Sequence, residues 1–156
     1  MALQRGDKAP DVTLPSHCNE QTPLASLYGK QRTVLVFFPL AFTSTCTEEL
    51  CTFRDDLSGY AGVNAQVVAI SVDSPFVLDR FRKEIGADYL FLSDFNREAS
   101  RAFGVLREAP LGPGLLNVSD RSVFVVDTDG TVMYAWHSTN PGLLPPFDEV
   151  KAALQA

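Results

Sequence analysis

Two uninterrupted runs of β-branched and aromatic residues, Val34-Leu35-Val36-Phe37-Phe38 and Val67-Val68-Ala69-Ile70-Ser71-Val72, constrain this chain more than any other feature. Neither run alternates polar with apolar residues, so each suits a strand covered on both faces by helices. The stretch between them carries helix punctuation. Thr45 reads as an N-cap with Glu48 three residues on as a capping box, and the helix runs to about Ser58, before Gly59. Ser74-Pro75 supplies the N-cap and first residue of a helix toward Glu84. Leu90-Phe91-Leu92 is a short strand, Arg97 to Phe103 a helix stopped by Gly104, and Glu108 to Asn117 a loop with Gly and Pro. Ser122–Val126 and Thr131–Trp136 then flank Asp127-Thr128-Asp129-Gly130, whose Asp-Gly tolerates the positive φ of a tight hairpin turn. A last helix follows Pro146, from about Phe147 to Leu154.

With a small extended piece around Val12 to Leu14, the order is β, α, β, α, β, α, β, β, α. Helical crossovers between buried strands imply a parallel portion, and the late hairpin adds antiparallel pairing. The expected fold is α/β, a mixed and mostly parallel sheet flanked by helices, in the order of a thioredoxin-like architecture. At 156 residues without a dividing linker, residues 1–156 are expected to form one domain. Nineteen acidic against thirteen basic side chains give a formal charge of −6, which repels phosphate backbones and anionic headgroups. Nucleic-acid and membrane-surface roles are therefore disfavoured. No apolar run approaches the roughly 18 residues of a bilayer span, and Met1 to Lys8 has no apolar signal core. The expectation is a soluble, cytoplasmic protein.

Cysteine chemistry rests on Cys18, Cys46 and Cys51. Three thiols are too few for a disulfide scaffold, which leaves inert packing, metal binding or redox chemistry. Cys46 falls in the first turn of a helix that directly follows a buried strand. Unpaired N–H groups and the helix dipole favour an anion there, and such placement promotes the thiolate. Taken alone, Cys46 reads equally well as a small buried residue. Thr43, three residues earlier, offers a hydroxyl that can donate to a thiolate or accept from a hydroperoxide, and the Pro39 ring can shield the pocket from water.

Pro39, Thr43 and Cys46 together, as Pro-x-x-x-Thr-x-x-Cys, resemble the active-site signature of the peroxiredoxin family. The likeness extends along the chain: Gly6-Asp7-Lys8-Ala9-Pro10-Asp11, Phe53-Arg54-Asp55, Ser71-Val72-Asp73-Ser74-Pro75, Leu92-Ser93-Asp94, Phe103-Gly104-Val105 and Arg121-Ser122-Val123-Phe124-Val125-Val126-Asp127 are each similar to family segments in order. The resemblance implies a thiol peroxidase with Cys46 as nucleophile, Thr43 as hydroxyl partner, Arg121 as the cation beside the sulfur, and Glu49 orienting that arginine. It implies no cofactor and no metal. Glu48, by contrast, reads as a helix cap.

Helical geometry frames the second thiol. Cys46, Leu50, Phe53 and Leu57 share an apolar face, and Cys51 is turned about 140° away among Thr47, Arg54, Asp55 and Ser58. In an intact helix the Cys46 and Cys51 Cα atoms lie about 8.6 Å apart, beyond the roughly 7 Å that a disulfide spans. The five-residue spacing resembles the Q-type peroxiredoxins, or bacterioferritin comigratory proteins, which implies Cys51 as resolving cysteine after local unwinding, with thioredoxin or a similar dithiol as reductant. Pro39-Leu40-Ala41-Phe42-Thr43 also resembles a one-cysteine branch, in which an external thiol resolves. Family likeness further implies a monomer or weak homodimer. Other readings are a metal site from Cys18, Cys46, Cys51, His17 and His137, whose spacing is poor, and a non-enzymatic thioredoxin-like binding module. Cys18, in a polar turn, reads as a surface thiol.

Overall fold

The computed structural model describes residues 1–156. A short antiparallel pair comes first, β1 (Thr13–Pro15) against β2 (Gln21–Pro23), followed by helix α1 (Leu24–Tyr28). The remaining elements are β3 (Arg32–Phe37), α2 (Ser44–Asp55), α3 (Leu57–Gly62), β4 (Ala65–Ser71), α4 (Pro75–Ile85), β5 (Leu90–Ser93), α5 (Glu98–Ala102), β6 (Arg121–Val126), β7 (Val132–Ser138) and α6 (Phe147–Leu154). The main sheet has the order β5-β4-β3-β6-β7. Strand β3 runs parallel to β4 and β4 to β5, whereas β6 joins β3 antiparallel and pairs with β7 through the hairpin. Parallel and antiparallel junctions are thus two each, a more even mixture than the crossovers alone suggest. Gly130 turns that hairpin at φ 87°, a conformation that costs glycine no Cβ clash.

Both long apolar runs are strands, and β3 shows why they do not alternate. Val34, Val36 and Phe38 face a core built with Leu50 and Phe53 of α2, Tyr60 of α3, Phe81 of α4 and Val150 of α6. Leu35 and Phe37 face the opposite core, with Leu24 and Leu27 of α1, Ala99 of α5 and Phe103. A central strand buried on both sides carries a near-continuous run of apolar side chains. Its C-terminal end therefore opens into the layer where α2 begins.

The helix expected from Thr45 to Ser58 is two helices. Its N-cap is Thr43, in extended conformation and without a side-chain cap, so Thr45 lies inside the first turn. No capping box forms, and Glu48 is exposed. The Thr43 carbonyl accepts from the Thr47 N–H and hydroxyl at 2.9 and 2.7 Å, which starts the helix two residues early. At the other end Asp56 leaves helical geometry (φ −107°, ψ 15°), and α3 restarts at an angle that buries Tyr60 against Phe53, ring centroids 5.7 Å apart. Gly59 sits within α3 instead of stopping α2. A Cβ there would lie 2.6 Å from the Asp56 carboxylate, which pairs with Lys151 at 2.8 Å. Leu57 accordingly belongs to α3 and is only half-buried. Strand β2 and helix α1 are additions to the expected elements. Three and five residues carry little periodic signal, although Leu24, Leu27 and Tyr28 are all buried at helical spacing.

Candidate active site

The chain leaves β3 through buried Pro39 and makes a tight approach to α2. The Ala41 N–H donates to Asp73 Oδ2 at 2.8 Å, and the Ser71 hydroxyl donates to the same oxygen at 2.6 Å, so the exit of β4 holds this loop. Phe42 takes φ 69°, unusual for an aromatic residue, and stacks edge-on over Phe81 with centroids 5.0 Å apart. This turn delivers Thr43 extended and starts α2. The Thr43 hydroxyl donates to the Leu40 carbonyl at 2.9 Å and not to a sulfur, which leaves its lone pairs to accept from a bound molecule.

Cys46 and Glu49, one turn apart on α2, point the same way and are 1% and 0% exposed. Between them and the sheet lies Arg121, the first residue of β6, itself 1% exposed. Its Nη1 donates to Glu49 Oε1 at 2.7 Å, and its Nη2 reaches both Cys46 Sγ at 3.3 Å and the Pro141 carbonyl at 2.7 Å. Burial pushes the Glu49 carboxyl up to about 7 against the opposing pull of Arg121, and its Oε2 meets no donor. Burial also lowers Arg121, but Glu49 and Cys46 outweigh it and hold the guanidinium above its ordinary value. The site therefore sets one firmly protonated cation between a carboxyl and a thiol. The first N–H groups of α2 have no side-chain cap and add positive potential at the same point.

A pocket of about 210 Å³ opens on the sulfur, lined by Pro39, Thr43, Ser44, Thr45, Cys46, Leu111, Arg121, Pro141 and Gly142. That is small beside the usual 300–1,000 Å³ of a drug-sized ligand site. A larger groove of about 1020 Å³ between the N-terminal residues, β7 and α6 is lined by no cysteine, so size alone does not mark the chemistry here. The structure thus brings Pro39, Thr43, Cys46 and Arg121 to one cavity, with Glu49 behind Arg121. Cys51 is not among the lining residues. It is half-buried on another face of the unbroken α2, beside Arg54 and Tyr89, and the Tyr89 hydroxyl donates to the Leu50 carbonyl at 2.6 Å. All three cysteines are free thiols, with Cys18 exposed on the β1–β2 turn. No three His, Cys, Asp or Glu side chains converge as metal ligands. Sequence reasoning missed the Pro141 carbonyl and the Asp73 anchor. A backbone acceptor in a Gly/Pro loop has no side-chain signature.

The sheet order, the flanking helices and a buried thiol at the start of α2 define a thioredoxin-like protein with a cysteine site. The AhpC/TSA family matches residues 5–135. Peroxiredoxin Bcp of Bacillus subtilis is 30% identical over 156 residues, covering 99% of this chain and 95% of that protein. Peroxiredoxin Bcp of Escherichia coli K12 is 31% identical over 134 residues, 86% of this chain and 85% of that one. The crystal structure of peroxidoxin BcpB from Mycobacterium tuberculosis superposes with a TM-score of 0.84 at 33% identity, covering 98% and 97% of the two chains. The chain belongs to the AhpC/TSA family, as a Q-type (Bcp) peroxiredoxin and thus a thiol peroxidase. No helix is long and apolar enough to cross a membrane.

Proposed function

We propose that Cys46 reduces hydrogen peroxide and organic hydroperoxides and that Cys51 resolves the product. In the first step the Cys46 thiolate attacks the terminal oxygen of R–O–O–H. An S–O bond forms, the O–O bond breaks, and the alkoxide leaves to take a proton as R–OH, with sulfur oxidised to sulfenic acid. Arg121 stabilises the thiolate and the developing alkoxide, Thr43 accepts from the peroxide O–H, Pro39 limits water, and Glu49 orients Arg121. The observation that carries this reading is the Arg121 guanidinium 3.3 Å from Sγ at the uncapped start of α2.

In the second step Cys51 displaces hydroxide from the sulfenic sulfur, releasing water and forming a Cys46–Cys51 disulfide, which a dithiol such as thioredoxin returns to two thiols. About 8.6 Å between Cα atoms in helical geometry requires the first turns of α2 to unwind, and helix ends open at less cost than the whole fold. The continuity of α2 through both cysteines favours one alternative, direct resolution by an external thiol. Mass mapping after one equivalent of peroxide separates the two. A Cys46–Cys51 linkage is expected in the parent, Cys51→Ser should give one burst of peroxide consumption and then stop with thioredoxin as sole reductant, and Cys46→Ser should show no burst. Full steady-state turnover of Cys51→Ser would reject resolution by Cys51, and turnover of Cys46→Ser would reject the enzyme assignment for this thiol.

A further inference from the structure

A second arginine stands behind the first. Arg107 lies in the segment after α5, where its N–H donates to the Val118 carbonyl and the Asp120 N–H donates to Val105, so residues 105–107 run antiparallel to the lead-in of β6. The Arg107 Nη1 donates both to Asp120 Oδ1 at 3.1 Å and to the Thr139 carbonyl at 2.7 Å. Its side chain is 11% exposed and that of Asp120 7%. The other Asp120 oxygen meets His137 Nε2 at 2.8 Å.

These bonds link two segments that matter for Arg121. Asp120 immediately precedes it, its side chain on the opposite face of the strand. Thr139 lies two residues before Pro141, whose carbonyl shares the Arg121 Nη2 with Cys46 Sγ. Arg107 does not line the Cys46 pocket. We propose that Arg107 is a positioning residue: by tying Asp120 to Thr139 it holds the start of β6 and the Pro141 carbonyl at the spacing that aims the Arg121 guanidinium at Cys46. This inference rests on the proposed roles of Arg121 and Cys46. Without the tether the 139–142 loop is joined to the start of β6 only through Ser138 of the ladder and the Arg121–Pro141 bond itself, so the Pro141 carbonyl is free to retreat and Arg121 can follow it away from the sulfur. Displacing a positioned group by about 1 Å costs on the order of a hundredfold in rate, and weakening one opposite charge near a titrating group moves its titration by about one pH unit.

The test uses the full chain with Cys18→Ser and Cys51→Ser, so that Cys46 is the sole thiol. Arg107→Leu should shift the pH profile of Cys46 alkylation upward by about one unit and slow peroxide reduction between about tenfold and a hundredfold. Because Arg107→Leu leaves Asp120 buried beside only His137, Arg107→Leu/Asp120→Leu is measured beside it. It swaps the ion pair for apolar side chains, still removes the Thr139 tether, and should show the same shift. Arg121→Met is the parallel control. A folded Arg107 variant with a lowered melting temperature but the parental alkylation profile and rate overturns the proposal. If Arg121→Met also leaves the profile unmoved, the roles assigned to Arg121 and Cys46 fail instead.

Discussion

Replacing Arg121 by methionine removes the cation and keeps an apolar side chain of similar reach. At the observed 3.3 Å between Nη2 and Sγ, a unit charge pair at an effective dielectric of 20 interacts by about 5 kcal/mol, which caps the effect on Cys46 ionisation at about 3.7 pH units. Glu49 holds the same guanidinium at 2.7 Å and cancels part of its field whenever it is ionised. The expected rise in the midpoint of Cys46 alkylation is therefore about 1–3 units, the usual range for an opposite charge at contact. Loss of a donor aimed at the transition state should also lower the peroxide rate by about 10²–10³. Glu49 is then left buried without its cation, a change that typically costs about 3–5 kcal/mol of stability. The Arg121→Met/Glu49→Leu double variant replaces the pair with apolar side chains and is expected to regain most of that loss. The assay is iodoacetamide alkylation from pH 4 to 10 with Cys46 as the only thiol, together with stopped-flow peroxide consumption. If the folded double variant superimposes on the parent in both measurements, the contact between Arg121 and the sulfur does not govern its reactivity.

Two other substitutions probe the shell around this pair. The folded chain raises Glu49 from 4.5 to about 7, so it binds this proton more tightly than the unfolded chain does. The stability from this group is then complete below about pH 4.5 and declines as pH rises through 7, by about 1.4 kcal/mol per pH unit in that window. Glu49→Gln should flatten this part of the curve in urea melts from pH 4 to 8, and an equal slope in parent and variant would rule it out. Tyr89→Phe removes the 2.6 Å bond to the Leu50 carbonyl between the two cysteines of α2. With about 1 kcal/mol lost from the folded helix, disulfide formation after a peroxide pulse should accelerate roughly fivefold, and a rate equal to the parent would show that unwinding does not involve this bond.

Much of this arrangement is written in local patterns. The unbroken runs at Val34 and Val67 mark central strands because a strand covered on both faces favours apolar side chains at successive positions, and Asp-Gly at 129–130 marks the hairpin because its turn needs positive φ. Cys46 after a buried strand and at the start of a helix is equally local, since backbone geometry alone puts N–H groups around it. The break at Asp56 was not legible, because it depends on Tyr60 reaching the core and on Lys151 arriving from α6 to meet Asp56. Glu49, next to the exposed Glu48, carries no local sign of burial, and only the family resemblance pointed to its role. Glu49 is buried because Arg121, 72 positions later in the chain, lands opposite it. By itself the sequence determined the two buried central strands, the late hairpin and the place of Cys46 near the start of a helix, and it pointed to Cys46 and Arg121 through a family resemblance. Tertiary structure alone decided which carbonyl shares the Arg121 guanidinium with that sulfur and where Arg107 ties Asp120 to Thr139, because these contacts join residues with no shared local pattern.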